Sequence, residues 1–293
     1  MVRCAVVGSP VAHSLSPVLH RAGYAAHGLD WSYQAVEVDA DGLPDFLAGL
    51  DESWRGLSLT MPLKRAVLPH LDRTSETAGL AGAVNTLLID GGRRVGHNTD
   101  VPGAVAAIRE RLDGPLDEVE LVGGGATAAS IVVALAQLGV RRLAVAVRDV
   151  TRARRTVDLA VRLLGAHAVR TRDLAEYAAT PEPVDLLVCT LPAPAQNPRL
   201  LAGVAQARCV FDVAYDPWPT PLAAVAMERG VPVVSGLDLL VHQAVPQFEL
   251  MTGLPAPMRE MRAAAGAALT ARGAVGPRFG PQPQRPGAAG CGS

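Results

Sequence analysis

The eight residues Leu121-Val122-Gly123-Gly124-Gly125-Ala126-Thr127-Ala128 lie between an apolar run and a segment with helical spacing. They contain the pattern Gly-x-Gly-x-x-Ala, formed by Gly123, Gly125 and Ala128. Small residues at such a strand-to-helix turn let the backbone approach a pyrophosphate, which binds at the helix N-terminus. The pattern predicts a dinucleotide site formed by residues 123–128, and the alternative is an ordinary βα turn.

The end of the next predicted strand, at 142–147, bears on the choice between NAD and NADP. An acidic residue there commonly binds the ribose 2′-hydroxyl of NAD, whereas arginine accommodates the 2′-phosphate of NADP. This chain has both, because Arg148 and Arg152 flank Asp149. The two arginines could clamp a phosphate, and Asp149 would repel it unless it points away or pairs with an arginine. We expect NADP, with NAD as the alternative.

Outward from this turn, strand-like and helix-like segments alternate, which predicts an α/β protein with parallel strands. A mixed α/β region precedes residue 102, with a hairpin signal at Asp90-Gly91-Gly92. A Rossmann-type series follows, and the chain then ends in two helices and a tail rich in glycine and proline. A helix is predicted at 102–112, before the second series. The predicted strands of that series are 119–122, 142–147, 185–189, 209–213 and 231–234, and its helices are 126–138, 150–164 and 221–229. The last two helices are predicted at 237–251 and 258–272.

Composition excludes several classes of protein. The 293 residues are 49% hydrophobic, with a net charge of −1, so neither nucleic acid nor an acidic membrane is an expected partner. No apolar stretch reaches the roughly 20 residues that span a bilayer. The start does not read as a signal peptide, and the four cysteines lack disulfide or metal spacing. We expect a soluble, cytoplasmic protein with reduced cysteines.

One lysine, Lys64, stands among 27 lysines and arginines, and asparagine occurs only at Asn85, Asn98 and Asn197. Arginine is effectively never deprotonated in proteins, whereas lysine can release a proton when its surroundings lower its pKa. Lys64 is therefore a candidate for proton transfer, and the alternative is a lysine retained on the surface by chance.

Polar side chains cluster in apolar context in the N-terminal half. Ser14 and Ser16 precede a predicted helix, Ser58 and Thr60 end a predicted strand, and an Asn-Thr pair begins at Asn85. Hydroxyl and amide groups of this kind would suit a polyol acid. Each group taken alone has a simpler explanation as a helix cap or a turn.

Together these segments resemble the shikimate dehydrogenase family, which includes shikimate and quinate dehydrogenases, over nearly the whole chain short of the tail. The resemblance rests on segments in order along the chain. They are Gly8-Ser9-Pro10 with His13-Ser14-Leu15-Ser16-Pro17 and His20, Thr60-Met61-Pro62-Leu63-Lys64, Ala83-Val84-Asn85-Thr86, Gly96-His97-Asn98-Thr99-Asp100, Tyr215-Asp216-Pro217 with Thr220-Pro221-Leu222, and Gly236 through Leu239-Leu240-Val241-His242-Gln243-Ala244.

The resemblance implies a two-domain enzyme that reversibly reduces 3-dehydroshikimate to shikimate with NADPH, in aromatic amino acid biosynthesis. It implies that Lys64 and Asp100 are the catalytic pair and that Ser14 and Ser16 bind the substrate carboxylate. The remaining substrate site would comprise Ser58, Thr60, Asn85, Tyr215 and Gln243. Thr190 and Gly236 would join residues 123–128, Arg148, Asp149 and Arg152 at the cofactor.

The resemblance also predicts the domain boundaries of the chain. Residues 1–101, completed by the helices within 237–272, would form the substrate-binding domain, residues 102–236 the NADP-binding Rossmann domain, and residues 273–293 a disordered tail. The expected partner is the small-molecule substrate, with the protein a monomer or a homodimer.

Three departures from the family pattern leave alternatives open. Ser58 replaces a usual asparagine, Val147-Arg148-Asp149 replaces a usual Asn-Arg-Thr/Ser run, and Cys189-Thr190 stands where an asparagine is common. A quinate or aminoshikimate dehydrogenase that uses NAD is one alternative. A non-catalytic metabolite-binding member is another, which the intact Lys64 and Asp100 disfavour. We expect no metal, because the seven histidines show no ligand spacing.

Overall fold

A computed structural model of the chain describes residues 1–177 and 182–273. The described strands form two six-stranded sheets, one from the residues before Asp100 and one from the residues after it. All of the predicted tail except Gly273 lies outside the described residues. Within the described part, no helix has the length and apolar character needed to cross a membrane.

The first sheet contains both parallel and antiparallel strand pairs. Its strands are β1 (Val2–Gly8), β2 (Trp31–Glu37), β3 (Trp54–Leu59), β4 (Arg73–Thr74), β5 (Thr86–Asp90) and β6 (Arg93–His97), in the order β2-β1-β3-β5-β6-β4. Strands β1 to β3 pair in parallel, whereas β5 is antiparallel to both β3 and β6. Gly91 and Gly92 form the predicted hairpin turn between β5 and β6, and both have positive φ, as such tight turns require.

The helices of this half are α1 (Ser16–Ala26), α2 (Leu43–Ala48), α3 (Leu63–Ala66) and α4 (Glu76–Ala81). The last two helices of the described chain, α11 (Gly236–Thr252) and α12 (Met258–Ala271), return to this half and pack against α1. Leu19 and Tyr24 of α1 share a buried core with Phe248 of α11 and Met261 of α12. Helices α11 and α12 therefore cover apolar surface that α1 presents.

The second sheet is entirely parallel. Its strands are β7 (Glu118–Val122), β8 (Arg142–Val147), β9 (Val169–Asp173), β10 (Val184–Cys189), β11 (Ala207–Asp212) and β12 (Val233–Val234), in the order β12-β11-β10-β7-β8-β9. Its strand β8 is apolar and buried after Arg142, and the last four residues of β10 are apolar and buried, which is typical of a sheet covered on both faces. The strand order reverses between β7 and β10, and open α/β sheets bind ligands at such a reversal.

The helices of the second half are α5 (Asp100–Arg111), α6 (Ala126–Gln137), α7 (Val150–Leu164), α8 (Leu174–Tyr177), α9 (Pro198–Ala202) and α10 (Pro221–Glu228). Short 3₁₀ turns occur at Leu68–His70, Ala166–Ala168, Ala193–Ala195 and Gly203–Gln206. Cys4, Cys189 and Cys209 are buried free thiols, as predicted for three of the four cysteines.

The structure corrects the sequence analysis at β9 and at the start of α5. Strand β9 was not predicted, because this edge strand has the sequence Val-Arg-Thr-Arg-Asp, which lacks an apolar run. Helix α5 begins at Asp100, two residues before the predicted start, so Pro102 lies within the first helical turn. A proline is tolerated there because the first backbone N–H groups of a helix have no partner within it. As a result, Asp100 is held by the helix and not by a preceding loop.

Helix α5 connects the two sheets and packs directly against α11. A Cβ on Gly103 would lie 2.8 Å from both the backbone N and the Cβ of Gln243, so the two helices approach at backbone distance. Arg111 and Asp238 form an ion pair of 3.2 Å between the helices, with side chains only 2% and 1% exposed. Asp238 also accepts the backbone N–H and the hydroxyl of Ser235 at the start of α11. The position of α11 relative to α5 is therefore closely constrained.

His20 of α1 is fully buried beside the first sheet. Its ring stacks on Tyr33 with centroids 4.2 Å apart and planes 9° from parallel. Burial lowers the pKa of His20 from 6.5 to about 4, and the nearby Gln247 amide offsets only part of this effect. The folded protein thus keeps His20 neutral at pH values where the unfolded chain protonates it.

This difference predicts a loss of stability in mild acid. Between pH 6.5 and pH 4 the unfolded state binds a proton that folded His20 does not, so the free energy of unfolding falls as the pH falls. From pH 7.5 to pH 5 the contribution is about 2 kcal/mol. The variant His20→Phe keeps an aromatic ring for stacking and should lose this share of the pH dependence in urea unfolding. The surface variant His167→Phe retains His20 and should behave as the wild type; equal slopes in all three proteins would contradict the prediction.

Candidate active site between the two sheets

A cavity of about 180 Å³ lies between the two halves. All the side chains predicted from the sequence to bind substrate or to carry catalysis line it, and they come from segments far apart in the chain. They are Ser14, Ser16, Ser58, Thr60, Lys64, Asn85, Asp100, Tyr215 and Gln243. Thr127 and Gly236, predicted for the cofactor, also line this cavity. It therefore adjoins the glycine-rich turn.

Lys64 and Asp100 meet at the base of the cavity. The Nζ of Lys64 donates to Oδ2 of Asp100 at 2.6 Å, and the two side chains are only 15% and 6% exposed. Thr127 Oγ1, in the first turn of α6, lies 3.4 Å from the same Nζ. The carboxylate of Asp100 lies in the first turn of α5, where the helix dipole favours negative charge. The ammonium is thus oriented between a carboxylate and a hydroxyl, with one side towards the cavity.

Asn85 is the centre of a buried hydrogen-bond network. Its Nδ2 lies within 2.8 Å of Thr99 Oγ1, 2.9 Å of Asp100 Oδ1 and 3.1 Å of Gln243 Oε1. Its Oδ1 accepts from the backbone N–H of Thr99 at 2.7 Å and from the hydroxyl of Thr86 at 3.0 Å. These partners fix the orientation of the amide and join β5, α5 and α11 at one residue.

Asn98, in the other Asn-Thr segment, does not line the cavity. Its Nδ2 donates to the backbone oxygen of Ala83 and to Ser130 Oγ, both at 2.9 Å. Its Oδ1 accepts the backbone N–H of Val101 at 3.2 Å, inside the first turn of α5. Asn98 thus helps to fix the start of the helix that carries Asp100.

Behind the cavity, the hydroxyl of Ser58 is held by other protein groups. It lies 2.5 Å from Tyr33 Oη and 2.8 Å from Gln247 Oε1. Gln247 in turn donates to Thr86 Oγ1 at 2.8 Å, and it is 1% exposed. Sequence reasoning missed Gln247, although its position one helical turn after Gln243, in a mostly apolar helix, was the available signal.

Tyr215 lies in a loop that a buried carboxylate anchors. Asp212, at the end of β11, accepts from Thr220 Oγ1 at 2.5 Å, from Gln196 Nε2 at 2.8 Å and from the backbone N–H of Ala214 at 3.2 Å. Burial raises the pKa of Asp212 to about 6, and these hydrogen bonds oppose the shift. Burial also raises the pKa of Tyr215. The tyrosine therefore presents a neutral phenol to the cavity at neutral pH.

The glycine-rich turn follows β7 and opens α6, where the sequence placed it. Gly123 has a φ of +112°, and a Cβ there would lie 2.2 Å from Thr190 Oγ1. A Cβ on Gly124 would lie 2.4 Å from that of Ala153 in α7. In contrast, no described atom lies within 4 Å of the Cβ position of Gly125, which faces open space beside the N-terminus of α6. Ala126 is the first residue of α6, and Ala128 is buried in the core.

A second cavity, of about 450 Å³, extends from this turn along the end of β8. It is lined by Gly123, Gly124, Gly125, Arg148, Asp149, Arg152 and, unexpectedly, Arg65 of α3. Asp149 is the N-cap of α7, where its Oδ1 accepts the backbone N–H of Arg152 at 3.0 Å. The Nε of Arg152 lies 3.4 Å from the other oxygen of Asp149. The acidic residue is thus engaged by the helix and by an arginine.

A parallel sheet with a glycine-rich turn at its strand reversal, and a polar cleft beside that turn, are typical of two-domain, dinucleotide-dependent oxidoreductases. Family models agree with this class. Residues 6–87 match the "Shikimate dehydrogenase substrate binding domain" and residues 236–265 match the "Shikimate 5'-dehydrogenase C-terminal domain".

Relatives and solved structures extend the match over most of the chain. A "Shikimate dehydrogenase (NADP(+))" of Desulfitobacterium hafniense is 35% identical, over 90% of this chain and 97% of the relative. The crystal structure of the shikimate dehydrogenase of Mycobacterium tuberculosis is 39% identical, with a TM-score of 0.80 over 92% of this chain and 100% of that one. A quinate dehydrogenase of Corynebacterium glutamicum in complex with NAD is 33% identical, with a TM-score of 0.79 over 90% of this chain and 98% of that one. The chain belongs to the shikimate dehydrogenase family.

A substitution at Gly103 tests whether the close packing of α5 against α11 is required for stability. In Gly103→Ala the new Cβ would press on the backbone of Gln243, and overpacking of this kind costs about 1–3 kcal/mol of stability. The matched variant Gly79→Ala, at an exposed position of helix α4, meets only Thr74 Oγ1 at 3.7 Å and should be neutral or stabilising. Urea unfolding measures both, and a Gly103→Ala protein as stable as Gly79→Ala would show that the helices are free to separate.

Proposed function

We propose that this protein is a shikimate dehydrogenase that reversibly reduces 3-dehydroshikimate to shikimate with NADPH, a step of aromatic amino acid biosynthesis. The observation that carries the proposal is the Lys64–Asp100 pair, which lies at the point where the polar cavity meets the first turn of α6. The names of the relatives support the assignment of both the substrate and the cofactor.

The residues present fit a dinucleotide. Gly123 and Gly124 have no room for a Cβ, because Thr190 and Ala153 occupy that space, whereas the space before Gly125 is open. A backbone of this shape, at the N-terminus of the 12-residue helix α6, would bind the pyrophosphate. Arg148 and Arg152 would hold the 2′-phosphate of NADP.

The proposed division of the chain follows from these two cavities. Residues 1–101, with the helices within 237–272, would form the substrate domain, and residues 102–236 the nucleotide domain. Ser14 and Ser16 would bind the substrate carboxylate. Thr60, Asn85, Tyr215 and Gln243 would bind its hydroxyl groups, while Ser58, held by Tyr33 and Gln247, would support them from behind.

When bound, NADPH supplies a hydride to C3 of the ketone. Lys64 then has two tasks: its Nζ–H is directed at the ketone oxygen, and it donates a proton to that oxygen as the hydroxyl forms. In the reverse direction neutral Lys64 accepts the hydroxyl proton. Asp100 orients Nζ through the 2.6 Å hydrogen bond. Asn85 holds Asp100 from the other carboxylate oxygen, and the low exposure of both charged groups limits competition from water.

The direct test follows the absorbance of reduced nicotinamide while the pure protein oxidises shikimate or quinate with NADP or NAD. Turnover with shikimate and NADP should exceed that of the other combinations. Turnover mainly with quinate or NAD would assign the sister activity on the same fold. No turnover with any combination would overturn the proposal and favour a metabolite-binding member without catalysis.

Removing the proton donor should affect turnover more than binding. The variant Lys64→Ala should lower kcat by about 10²–10⁴, the usual contribution of a positioned acid or base. Lys64→Arg keeps the positive charge but cannot release a proton, so it should be similarly slow. Calorimetric titration with shikimate checks that the site still binds. Near-native turnover in Lys64→Ala, with an unchanged pH profile, would refute the proton-transfer role.

Asp149 provides a test of cofactor selection. Asp149→Asn removes the negative charge beside the proposed 2′-phosphate site but keeps an equally good N-cap for α7. The Kd for NADP should fall several-fold, because a like charge is removed, and the Kd for NAD should fall by less. A variant with tighter NAD binding and unchanged NADP binding would show that Asp149 does not face the 2′-phosphate.

A further inference from the structure

Arg65 follows Lys64 in α3, yet the two side chains face different cavities. Lys64 lines the cavity with the polar groups, and Arg65 lines the cavity beside the glycine-rich turn and the end of β8. The Nη2 of Arg65 lies 3.4 Å from the backbone oxygen of Gly125 and 3.3 Å from Thr156 Oγ1. Arg65 therefore reaches from the first half of the chain onto the nucleotide-binding turn of the second.

Among residues 1–175 and 182–273, whose side chains the structure describes, no carboxylate lies within ion-pair distance of the Arg65 guanidinium. Its hydrogen bonds to Gly125 and Thr156 are long, and both accepting oxygens are neutral. Burial and the nearby Arg155 lower the pKa of Arg65. Holding a half-buried cation beside another cation has an energetic cost, which an anion in the cavity would offset.

The other groups around this cavity also favour a bound anion. Arg148 and Arg152 line it, and the N-termini of α6 and α7 adjoin it. Asp149, the carboxylate among its lining residues, is already engaged by Arg152 and by the first turn of α7. The remaining potential is positive, and a guanidinium offers the planar pair of donors that matches phosphate oxygens.

We propose that Arg65 binds a phosphate group of the dinucleotide across the cleft, as a third arginine beside Arg148 and Arg152. The inference rests on the proposed function for the identity of the dinucleotide. Because Arg65 is covalently next to Lys64, the contact links the phosphates of the bound cofactor to the position of the proton donor. It also supplies a positive group where Val147 and Asp149 offer no side-chain donor to phosphate.

The experiment measures the Kd of NADP and of NAD by isothermal titration calorimetry for the wild type, Arg65→Ala, Arg65→Lys and Arg154→Ala. Arg154 is the matched control, since it lies on α7 with its side chain 80% exposed and paired with Asp158. Thermal unfolding confirms that each variant is folded, and shikimate turnover is recorded in parallel for the wild type.

Arg65→Ala should raise the Kd of NADP about tenfold, the loss expected for a charge-assisted hydrogen bond. Arg65→Lys should recover part of the affinity, and Arg154→Ala should match the wild type. An increase for NADP alone assigns the 2′-phosphate, and an equal increase for NAD assigns the pyrophosphate. If folded Arg65→Ala binds both nucleotides as the wild type does, the inference is wrong. If the wild type binds NADP in an Arg65-dependent way but does not oxidise shikimate, the proposed function fails and this inference stands.

Discussion

The close packing of α5 against α11 is the constraint on which the site depends. Helix α5 connects the first sheet to the second and carries Asp100 in its first turn. Helix α11 leads back to the first half of the chain and carries Gln243. Gly103 permits backbone contact between the two helices, and the buried Arg111–Asp238 pair fixes their relative position. Separating the helices would remove Gln243 from Asn85 and would break a buried ion pair, which is strongly unfavourable.

The polar groups that line the cavity are held in place by hydrogen bonds to other protein groups. Asn85 uses both ends of its amide, and Ser58 and Gln247 are held by Tyr33 and Thr86. Groups in such a network cannot rotate freely, so they need little reorganisation when a substrate binds. The cost is a buried region intolerant of change, because removal of one partner leaves another unsatisfied.

Local patterns in the sequence were sufficient to predict much of this structure. The apolar runs at β7 and β8 and the glycines between β7 and α6 predicted the second sheet and its turn, and the ordered motifs identified the residues that line the first cavity. Strand β9 was missed because its alternation of arginine and small residues carries no apolar signal. Arg65 was missed for a different reason. Its surroundings are created by Gly125 and Thr156, which lie far away in sequence, and no local pattern reports them.

The return of α11 and α12 to the first half has a consequence for folding during synthesis. The second sheet and its helices are continuous in sequence, so this half can form once the ribosome has released it. The first half must wait, since Leu19 and Tyr24 of α1 obtain Phe248 and Met261 as neighbours only from the last helices. Until α11 and α12 have been released, this apolar surface is open to solvent and to other chains, so the newly made protein is prone to aggregation during that interval.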